Sequence, residues 1–322
     1  MKSAVPLKQL RAAFGTRLQE QVRLANYTTS RAGGPADALI IAQSVQELEE
    51  AVRSLWDMSV PFIILGSGSN ILFSDAGYRG VILLNRARNL KVDAHHAPIS
   101  VWAESGTNLG TIARQVALRG LSGLEWAGTI PGSLGGAVYG NAGAFGSDMQ
   151  ASLILAEILH PVRGKESWLV ERLQYSYRSS ILKQGGDPVV ILAAKMKLTQ
   201  STPEAVQAKM EGFAAHRRRT QPPGASMGST FRNPPGDYAG RLIEAAGLKG
   251  TTIGGAEISP LHANFIITHP GASAADIWGL IELMRRSVLD KFGVELELEI
   301  ECLGEWPAGV SPAGSWQVES NG

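Results

Sequence analysis

A glycine-rich segment, residues 128–146, carries the clearest chemical signal in the chain. It reads GTIPGSLGGAVYGNAGAFG and holds no acidic or basic side chain. Glycine is used where the backbone takes positive φ or closely approaches a ligand, and successive free N–H groups form a concave anion site. We expect this backbone to surround a large negative ligand, of which a dinucleotide pyrophosphate fits best. A plain run of turns is the alternative, but the glycine density and the interleaved Val138, Tyr139 and Phe145 count against it.

A second glycine loop follows a short apolar run. Residues 61–65, PFIIL, have the character of a buried strand and lead directly into Gly66-Ser-Gly-Ser-Asn70. No Gly-Lys-Ser/Thr follows, so this is not a Walker loop, and the Gly-x-Gly-x-x-Gly spacing of a Rossmann turn is absent. Small residues with exposed N–H groups after a strand still form a phosphate cradle. The two loops together predict two backbone clamps on one extended cofactor.

Residues 227–234, MGSTFRNP, place a hydroxyl, a guanidinium and an amide beside a glycine. Ser229 lacks the Gly-x-Ser-x-Gly context of a hydrolase nucleophile. Its hydroxyl can still donate a proton to a strongly basic carbon. A Ser/Thr turn closed by a proline explains the same residues equally well.

Arginines offer two candidate anion contacts. Arg178 lies among hydroxyl side chains in YSYRSS, residues 175–180, and its planar fork suits a carboxylate or a phosphate. Taken alone, Arg178 is better interpreted as a surface loop residue. Arg217, Arg218 and Arg219 end a predicted helix, where cations are favoured anyway, and one of them can face a phosphate.

The remaining ionisable groups give weaker signals. Residues 294–303 alternate apolar side chains with four glutamates, Glu295, Glu297, Glu299 and Glu301, which predicts a strand with a solvated acidic face. A catalytic role would require one glutamate in a closed apolar pocket with a raised pKa. The six histidines show no metal-ligand spacing, so no metal site is predicted.

Composition narrows the class of protein. The chain has 322 residues, 44% hydrophobic and 18% charged, with a net charge of +1, which gives no general electrostatic case for nucleic acid or membrane binding. The single cysteine, Cys302, excludes an internal disulfide framework. No secretory signal or apolar run of about 20 residues is visible. We therefore predict a cytoplasmic protein without membrane insertion.

Periodicity predicts the elements that position these residues. The spacing of Leu7, Leu10, Phe14 and Leu18 indicates an amphipathic helix, and Ser44 to Glu47 is a capping-box pattern. Strands are predicted at 61–65, 80–84, 99–104, 153–159, 188–198, 263–268 and 294–303. Helices are predicted at 108–119, 203–219, 238–247 and 274–292. The break at 221–224, QPPG, is the best domain boundary.

The motifs together resemble the UDP-N-acetylenolpyruvoylglucosamine reductase family. The resemblance runs from about Asn26 to Trp306. It is carried by NYTT and GGPA (26–29, 33–36), LGSGSNIL with Asp75 and Gly80 (65–72), the 128–146 segment, YRSS (177–180), GSTFRNP (228–234), AGLKG (246–250), HANF (262–265), and LELE with GEW (296–299, 304–306). Several of these motifs are long and in the expected order.

The resemblance implies an α+β fold. It comprises a two-subdomain FAD-binding module of the vanillyl-alcohol-oxidase type and a smaller α+β substrate-binding domain. It implies noncovalent FAD, reduced by NADPH, and hydride transfer to the enolpyruvyl ether of a UDP-sugar, giving UDP-N-acetylmuramate for peptidoglycan. The implied division is a helical segment at 1–24, the FAD-binding domain at 25–220 split near residue 90, the substrate domain at 221–306 and a flexible tail at 307–322. The protein is expected to act as a monomer.

The resemblance also assigns residues to roles. Ser229 is similar to the proton donor, and Arg178 and Glu299 to the pair that stabilises an enolate. Substrate contacts are expected at Tyr177, Arg217, Asn233 and Lys249. Cofactor contacts are expected at Gly66, Ser67, Gly68, Ser69, Asn70, Ile71, Thr129, Pro131, Gly132, Gly135, Gly136, Asn141, Ala142 and Gly143.

Three departures from the family pattern bear on these assignments. Leu298 stands where proline is usual, so Glu301 is a rival to Glu299. Thr268 replaces a common asparagine, and Ser67 a frequent glycine. A tyrosine-bearing substrate loop is missing, which places the chain in the shorter subclass. The alternatives are another FAD-dependent hydroxyacid or sugar oxidoreductase of this fold, and a nonenzymatic flavin or nucleotide-sugar binding protein.

Overall fold

The computed structural model describes residues 5–185 and 188–306. The strands, β1 to β19 in chain order, are Leu18–Arg23, Pro35–Ala42, Phe62–Leu65, Ile71–Phe73, Tyr78–Asn85, Leu90–Asp93, Ser100–Glu104, Leu121–Ser122, Gly143–Ala144, Ser147–Asp148, Leu153–His160, Gly164–Leu169, Val190–Lys197, Thr199–Gln200, Ala225–Ser229, Thr252–Ile253, Ala256–Ile258, Phe265–Thr268 and Glu301–Leu303. The α-helices, α1 to α8, are Leu7–Phe14, Val45–Asp57, Leu109–Ala117, Leu134–Gly140, Met149–Ser152, Pro203–Thr220, Ala239–Ala245 and Ala274–Phe292. The tail predicted at 307–322 lies outside the described residues.

The first sheet has the strand order β1-β2-β5-β3, with β1 antiparallel and the other neighbours parallel. Helix α2 contributes Leu48, Val52 and Leu55 to the core beside this sheet. Ser44 caps α2 by accepting from the Glu47 N–H at 3.2 Å. The Glu47 carboxylate accepts from Gln43 N–H rather than from Ser44, so only the serine half of the expected capping box forms.

The helix predicted from the spacing of Leu7 to Leu18 is shorter than expected. It ends at Phe14, because Gly15 takes a positive φ of 52° and its N–H bonds to Arg11 O. Leu18 then begins β1, which pairs with β2. The helical prediction for 1–24 is therefore wrong over residues 18–23.

The second sheet, β12-β11-β13-β7-β6, is antiparallel throughout. Helices α3 and α4 pack beside it in one core that includes Ile112, Leu134 and Val138. The strands of the first sheet end at Asn85, and those of the second begin at Leu90. The two sheets therefore use consecutive stretches of chain.

The third sheet, β15-β18-β17-β16, is antiparallel and is covered by α8. Helix α8 has the predicted bounds because both ends carry strong local signals. Ser273 and Asp276 form a reciprocal capping box, and Gly293 closes the helix in the left-handed region. Within the described residues, no helix is long and apolar enough to cross a membrane.

The strand predicted at 294–303 is wrong over most of its length. Only Glu301–Leu303 forms a strand, and it pairs in parallel with β4 rather than extending the third sheet. Residues before it run past the end of β15, where Leu298 makes a single bridge to Phe231. The burial alternation holds, with Leu296, Ile300 and Cys302 in the core. The acidic face, however, is not uniformly solvated, since Glu299 and Glu301 are mostly buried in ion pairs.

Candidate functional site

The two glycine loops lie against each other. Ser69 Oγ donates to Pro131 O at 3.3 Å. A Cβ added at Gly66 would overlap Ser133 Oγ and lie 2.8 Å from Ser133 Cβ. The loops can approach this closely only because position 66 lacks a side chain.

Their backbones present a set of unused donors. Among the described residues, the N–H groups of Ser67, Gly68, Ser69, Gly132 and Ser133 have no protein acceptor. Gly68 and Gly132 have positive φ values of 61° and 137°. Free N–H groups in such turns form an anion-binding concavity, so the donors fit the diphosphate of a dinucleotide.

A nearby cation was not found from the sequence. Arg86 follows β5 and donates from Nη1 to Gly66 O at 2.8 Å, which places its guanidinium at the base of the first loop. Burial is the main cause that lowers its pKa. It remains charged at neutral pH because an arginine pKa starts far above 7. Only the folded contact between 66 and 86 reveals it.

Other residues predicted for the cofactor shape the second loop. Gly135 N–H donates to Ser105 O at 2.7 Å and packs α4 against the end of β7. Asn141 is 2% exposed and ends α4 in the left-handed region. Its amide donates to Ser176 O at 3.0 Å and accepts from Gln150 N–H at 3.0 Å. The Thr129 hydroxyl is buried and has no hydrogen-bond partner among the described residues.

The remaining predicted cofactor positions lie along the same two loops. Gly136, at the start of α4, donates to its cap Ser133 Oγ at 3.4 Å. Ala142 receives the Met149 N–H, and Gly143 begins a two-residue strand. At the end of the first loop, Ile71 begins β4. These four positions therefore hold the loops in shape through their backbones.

The turn that carries Arg178 is fastened to the glycine-rich helix α4. Tyr175 OH donates to Val138 O at 2.7 Å, and Ser180 Oγ donates to Tyr139 O at 2.6 Å. These are carbonyls of the last turn of α4, which lack helical partners. Arg178 itself has a positive φ of 55°. Its unusual backbone is held by bonds on both sides of it.

Arg178 bridges the glycine-rich segment and the C-terminal segment. Its Nε donates to Glu299 Oε1 at 2.8 Å, and its Nη2 donates to Gly143 O at 2.8 Å. The guanidinium also lies 5.2 Å from the centre of the Tyr177 ring. Tyr177 is 51% exposed, so it borders the solvent side of the pair.

The backbone of Glu299 joins two further parts of the site. Its N–H donates to Thr230 O at 2.9 Å, one residue beyond Ser229. Its carbonyl accepts from Asn70 Nδ2 at 3.1 Å, at the end of the first glycine loop. Glu299 therefore contacts the first loop, the Arg178 turn and the strand that ends in Ser229.

Ser229 is the last residue of β15 and follows an irregular step in the ladder. Pairing with β18 shifts register between Ser226 and Ser229, and Gly228 between them has φ 78°. Bulges of this kind re-aim the next side chain. Among the described residues, none forms a hydrogen bond with the Ser229 hydroxyl, so it is free for a ligand.

The predicted substrate residues lie on other elements. Arg217 is half-buried on α6, with Nε donating to Gln221 Oε1 at 2.8 Å, whereas Arg218 and Arg219 are exposed. Burial lowers the Arg217 pKa.

Asn233 Oδ1 accepts from Ala239 N–H at the start of α7, and Lys249 pairs with Glu244 at 2.7 Å. Phe145 stacks on Phe213 with centroids 4.2 Å apart, which brings α6 against the glycine-rich segment.

No cluster of three or more His, Cys, Asp or Glu side chains suited to a metal occurs within residues 5–185 and 188–306. Unpaired N–H donors, crowded glycines and the Arg86 guanidinium match a phosphate-bearing group.

The comparisons with known proteins agree with this geometry. The FAD binding domain family matches residues 36–161, and the C-terminal domain of UDP-N-acetylenolpyruvoylglucosamine reductase matches residues 220–303. The reductase of Chloroflexus aggregans is 44% identical over 285 residues, covering 87% of this chain and 95% of the relative. The chain belongs to the UDP-N-acetylenolpyruvoylglucosamine reductase family.

Two further relatives support the same assignment. The Bacillus subtilis reductase is 41% identical, covering 87% of this chain and 92% of the relative. The crystal structure of the Thermus caldophilus reductase superposes with a TM-score of 0.75 at 33% identity, covering 89% of this chain and 99% of that one. The fold is thus the expected FAD-binding module of the vanillyl-alcohol-oxidase type with a C-terminal α+β domain, and the protein is an FAD-dependent oxidoreductase.

Proposed function

We propose that the protein reduces the enolpyruvyl ether of UDP-N-acetylglucosamine-enolpyruvate to UDP-N-acetylmuramate. Bound FAD supplies the hydride chemistry, with NADPH as the source of the hydride. The observation that carries the proposal is the position of Glu299, which contacts Arg178, Asn70 and the residue after Ser229. One residue thus connects the cofactor loop, a cation and a free hydroxyl.

The side chains have complementary tasks in this reaction. Hydride added to the terminal methylene carbon of the enolpyruvyl group would leave negative charge on the ether-bearing carbon and on the carboxylate attached to it. Arg178 and Glu299 lie where they can stabilise that charge, the first as a cation and the second as a hydrogen-bond donor when protonated. Ser229 holds the proton for the carbon. Its hydroxyl has no protein partner among the described residues, so it is free to transfer that proton.

The binding residues follow from the same arrangement. We propose that the N–H groups of residues 67–69 and 132–133, with Arg86, hold the FAD diphosphate. Gly135 and Asn141 would act by shaping that backbone. Tyr177, Arg217, Asn233 and Lys249 would contact the UDP-sugar. Neither glycine loop contains a His or Cys to tether a flavin, which favours noncovalent binding.

We propose that the chain divides into two domains between residues 220 and 221, that the first domain includes β1 of the first sheet, and that it is subdivided near residue 90. This division is supported by the consecutive use of chain in the three sheets. The substrate would place the enzyme in peptidoglycan precursor synthesis in the cytoplasm, acting as a monomer. The second candidate function is that of another FAD-dependent oxidoreductase of this fold. It would be favoured if the enolpyruvyl UDP-sugar failed to oxidise the reduced flavin.

The decisive experiment is an anaerobic absorbance titration of the FAD-loaded protein. The absorbance band of the oxidised flavin at about 450 nm should bleach with NADPH and return on addition of the enolpyruvyl UDP-sugar. A band that returns only with oxygen would favour the other oxidoreductase. Protein that fails to retain added FAD would contradict the assignment of the glycine loops. Product should be verified by mass, because reduction adds two hydrogens to the substrate.

A further inference from the structure

A second ion pair runs beside the Arg178–Glu299 pair. Lys183 Nζ lies 2.6 Å from Glu301 Oε1 as an ion pair without hydrogen-bond geometry, and the two side chains are 13% and 16% exposed. Arg178 and Lys183 belong to the same turn region after residue 175, while Glu299 and Glu301 belong to the same C-terminal segment. The two cations therefore meet the two carboxylates in matching order.

This order gives each of the two neighbouring carboxylates, Glu299 and Glu301, a cation of its own. The Cα atoms of residues two apart lie at most about 7 Å from each other, so a Glu301 carboxylate without Lys183 would lie near the arginine that pairs with Glu299. Glu299 and Glu301 both lie on the side of the turn. An unpaired, mostly buried carboxylate is strongly disfavoured. Without its own cation, Glu301 would compete with Glu299 for Arg178.

Backbone bonds hold the Lys183 pair in the same frame as the site. Glu301 N–H donates to Asn70 O at 2.9 Å, and Lys183 N–H donates to Ser180 O at 3.0 Å. Ser180 in turn is fastened to α4 through Tyr139 O. The Lys183–Glu301 pair thus spans the same two segments as the Arg178–Glu299 pair, only two residues further along the carboxylate segment.

We propose that Lys183 is a positioning residue that occupies Glu301 and so reserves Arg178 for Glu299. The catalytic consequence rests on the proposed function, while the pairing itself does not. In this proposal's terms Lys183 is not a catalytic residue, because its side chain pairs with Glu301. By pairing with Glu301, it leaves Glu299 as the carboxylate that Arg178 contacts.

The first test measures the two half-reactions in Lys183→Met. Reduction by NADPH and retention of FAD should match the wild type, because the glycine loops are untouched. Reoxidation by the enolpyruvyl UDP-sugar should slow by roughly 10- to 100-fold, as expected for a misplaced catalytic group. The loss should fall on kcat rather than KM. The control Lys165→Met removes an ion pair between β12 and Glu49 on α2 and should leave both half-reactions unchanged.

Rescue separates positioning from general damage. Adding Glu301→Gln to Lys183→Met removes the competing charge and should restore most of the rate, and Lys183→Arg should retain it. A Lys183→Met enzyme with normal reoxidation, or one that Glu301→Gln fails to rescue, would overturn the proposal.

A stability measurement keeps the test independent of activity. In urea unfolding, Arg178→Met and Glu301→Gln should be additive in the wild type, because the two residues are not paired. In a Lys183→Met background the effects of these two substitutions on the free energy of unfolding should become coupled. If Lys183→Met does not fold, Lys183→Gln serves as the background instead. Additivity in both backgrounds would overturn the pairing argument. If wild-type flavin is not reoxidised by the substrate, the proposed function fails, and this cycle still decides the pairing.

Discussion

Arg178 and Glu299 are 121 residues apart in sequence and are joined by a 2.8 Å bond from Nε to Oε1. The same guanidinium donates from Nη2 to Gly143 O. A single side chain therefore fixes the C-terminal glutamate against the glycine-rich segment. The arrangement depends on the planar fork of arginine, which can donate in two directions at once.

Arg178→Lys should disable this arrangement while preserving the charge. An ammonium on a flexible stem cannot reproduce the two fork contacts. We expect reoxidation of reduced flavin by the UDP-sugar to fall by about 100-fold, with reduction by NADPH unchanged, measured by anaerobic stopped flow. Arg172→Lys is the matched control, because Arg172 contacts only residues of β12 in these interactions, stacking on Trp168 at 3.9 Å and pairing with Glu166 at 3.4 Å. Equal rates for Arg178→Lys and wild type would remove Arg178 from the mechanism.

Ser229→Ala should separate the two half-reactions. The variant removes the proton donor and leaves the glycine loops intact. General acid catalysis contributes about 10²- to 10⁴-fold, and reoxidation by substrate should slow by that amount while reduction by NADPH is preserved. Ser226→Ala, on the same strand before the irregular step, should behave as the wild type. If Ser229→Ala reoxidises normally, another group donates the proton.

Gly66→Ala should weaken FAD binding. The new Cβ would lie 2.8 Å from Ser133 Cβ and push the two loops apart. Overpacking costs about 1–3 kcal/mol, so the Kd for FAD should rise by roughly 10- to 100-fold, measured by flavin fluorescence quenching. Adding Ser133→Gly should recover part of the affinity.

Gly212→Ala is the matched control for this substitution. No atom lies within 4 Å of a Cβ at position 212, in the exposed middle of α6. It should leave FAD affinity unchanged and raise stability by about 0.5–1 kcal/mol, because alanine favours the helix. Equal Kd values for Gly66→Ala and Gly212→Ala would place FAD away from the meeting point of the loops.

The sequence predicted best those elements whose signals are local. Helix α8 was predicted at 274–292 and has those bounds, since its cap and its closing glycine lie at the ends themselves. Helix α6, predicted at 203–219, begins at a local cap as well, where Thr202 Oγ1 accepts from Ala205 N–H at 3.3 Å. The glycine loops were recognised for the same reason, because their composition directly reflects backbone geometry.

Elements that depend on distant contacts were missed. Helix α4 lies inside the glycine-rich segment, where glycine disfavours helix, yet burial of Leu134 and Val138 stabilises it. Residues 294–300 alternate like a strand but find no continuous partner. Arg86 and Lys183 become candidates only through contacts with residues 66 and 301. No local pattern carries such information.

Asp75→Ala should destabilise the contact between the first sheet region and α8. The Asp75 carboxylate accepts from Ala274 N–H and Ala275 N–H, each at 2.9 Å, although these residues are about 200 positions away. Removing a carboxylate that satisfies a helix N-terminus costs about 1 kcal/mol. Urea unfolding should show this loss, whereas Asp290→Ala at the other end of α8 should stay within about 0.5 kcal/mol of wild type. No difference between the two variants would mean that the cap adds nothing in solution.

Cys302 should be unreactive in the folded protein. It is 2% exposed, and burial, helped by the charge of Glu301, raises its thiol pKa to about 12. The thiol is therefore neutral at pH 8, and the reactive thiolate is scarce. A thiol reagent should label Cys302 only as fast as the protein unfolds, so labelling should accelerate through the urea transition.

The raised pKa of the Cys302 thiol also determines whether the free energy of unfolding rises or falls with pH. The folded state retains the thiol proton where the unfolded state has lost it, so the stability contribution is complete below the ordinary thiol pKa. It is lost as pH rises toward about 12. Cys302→Ala should reduce this alkaline destabilisation. Leu118→Cys in that background puts a thiol on an exposed position and should label within the mixing time of a manual assay. Fast labelling of native Cys302 at pH 8 would show that the β4–β19 pairing opens readily.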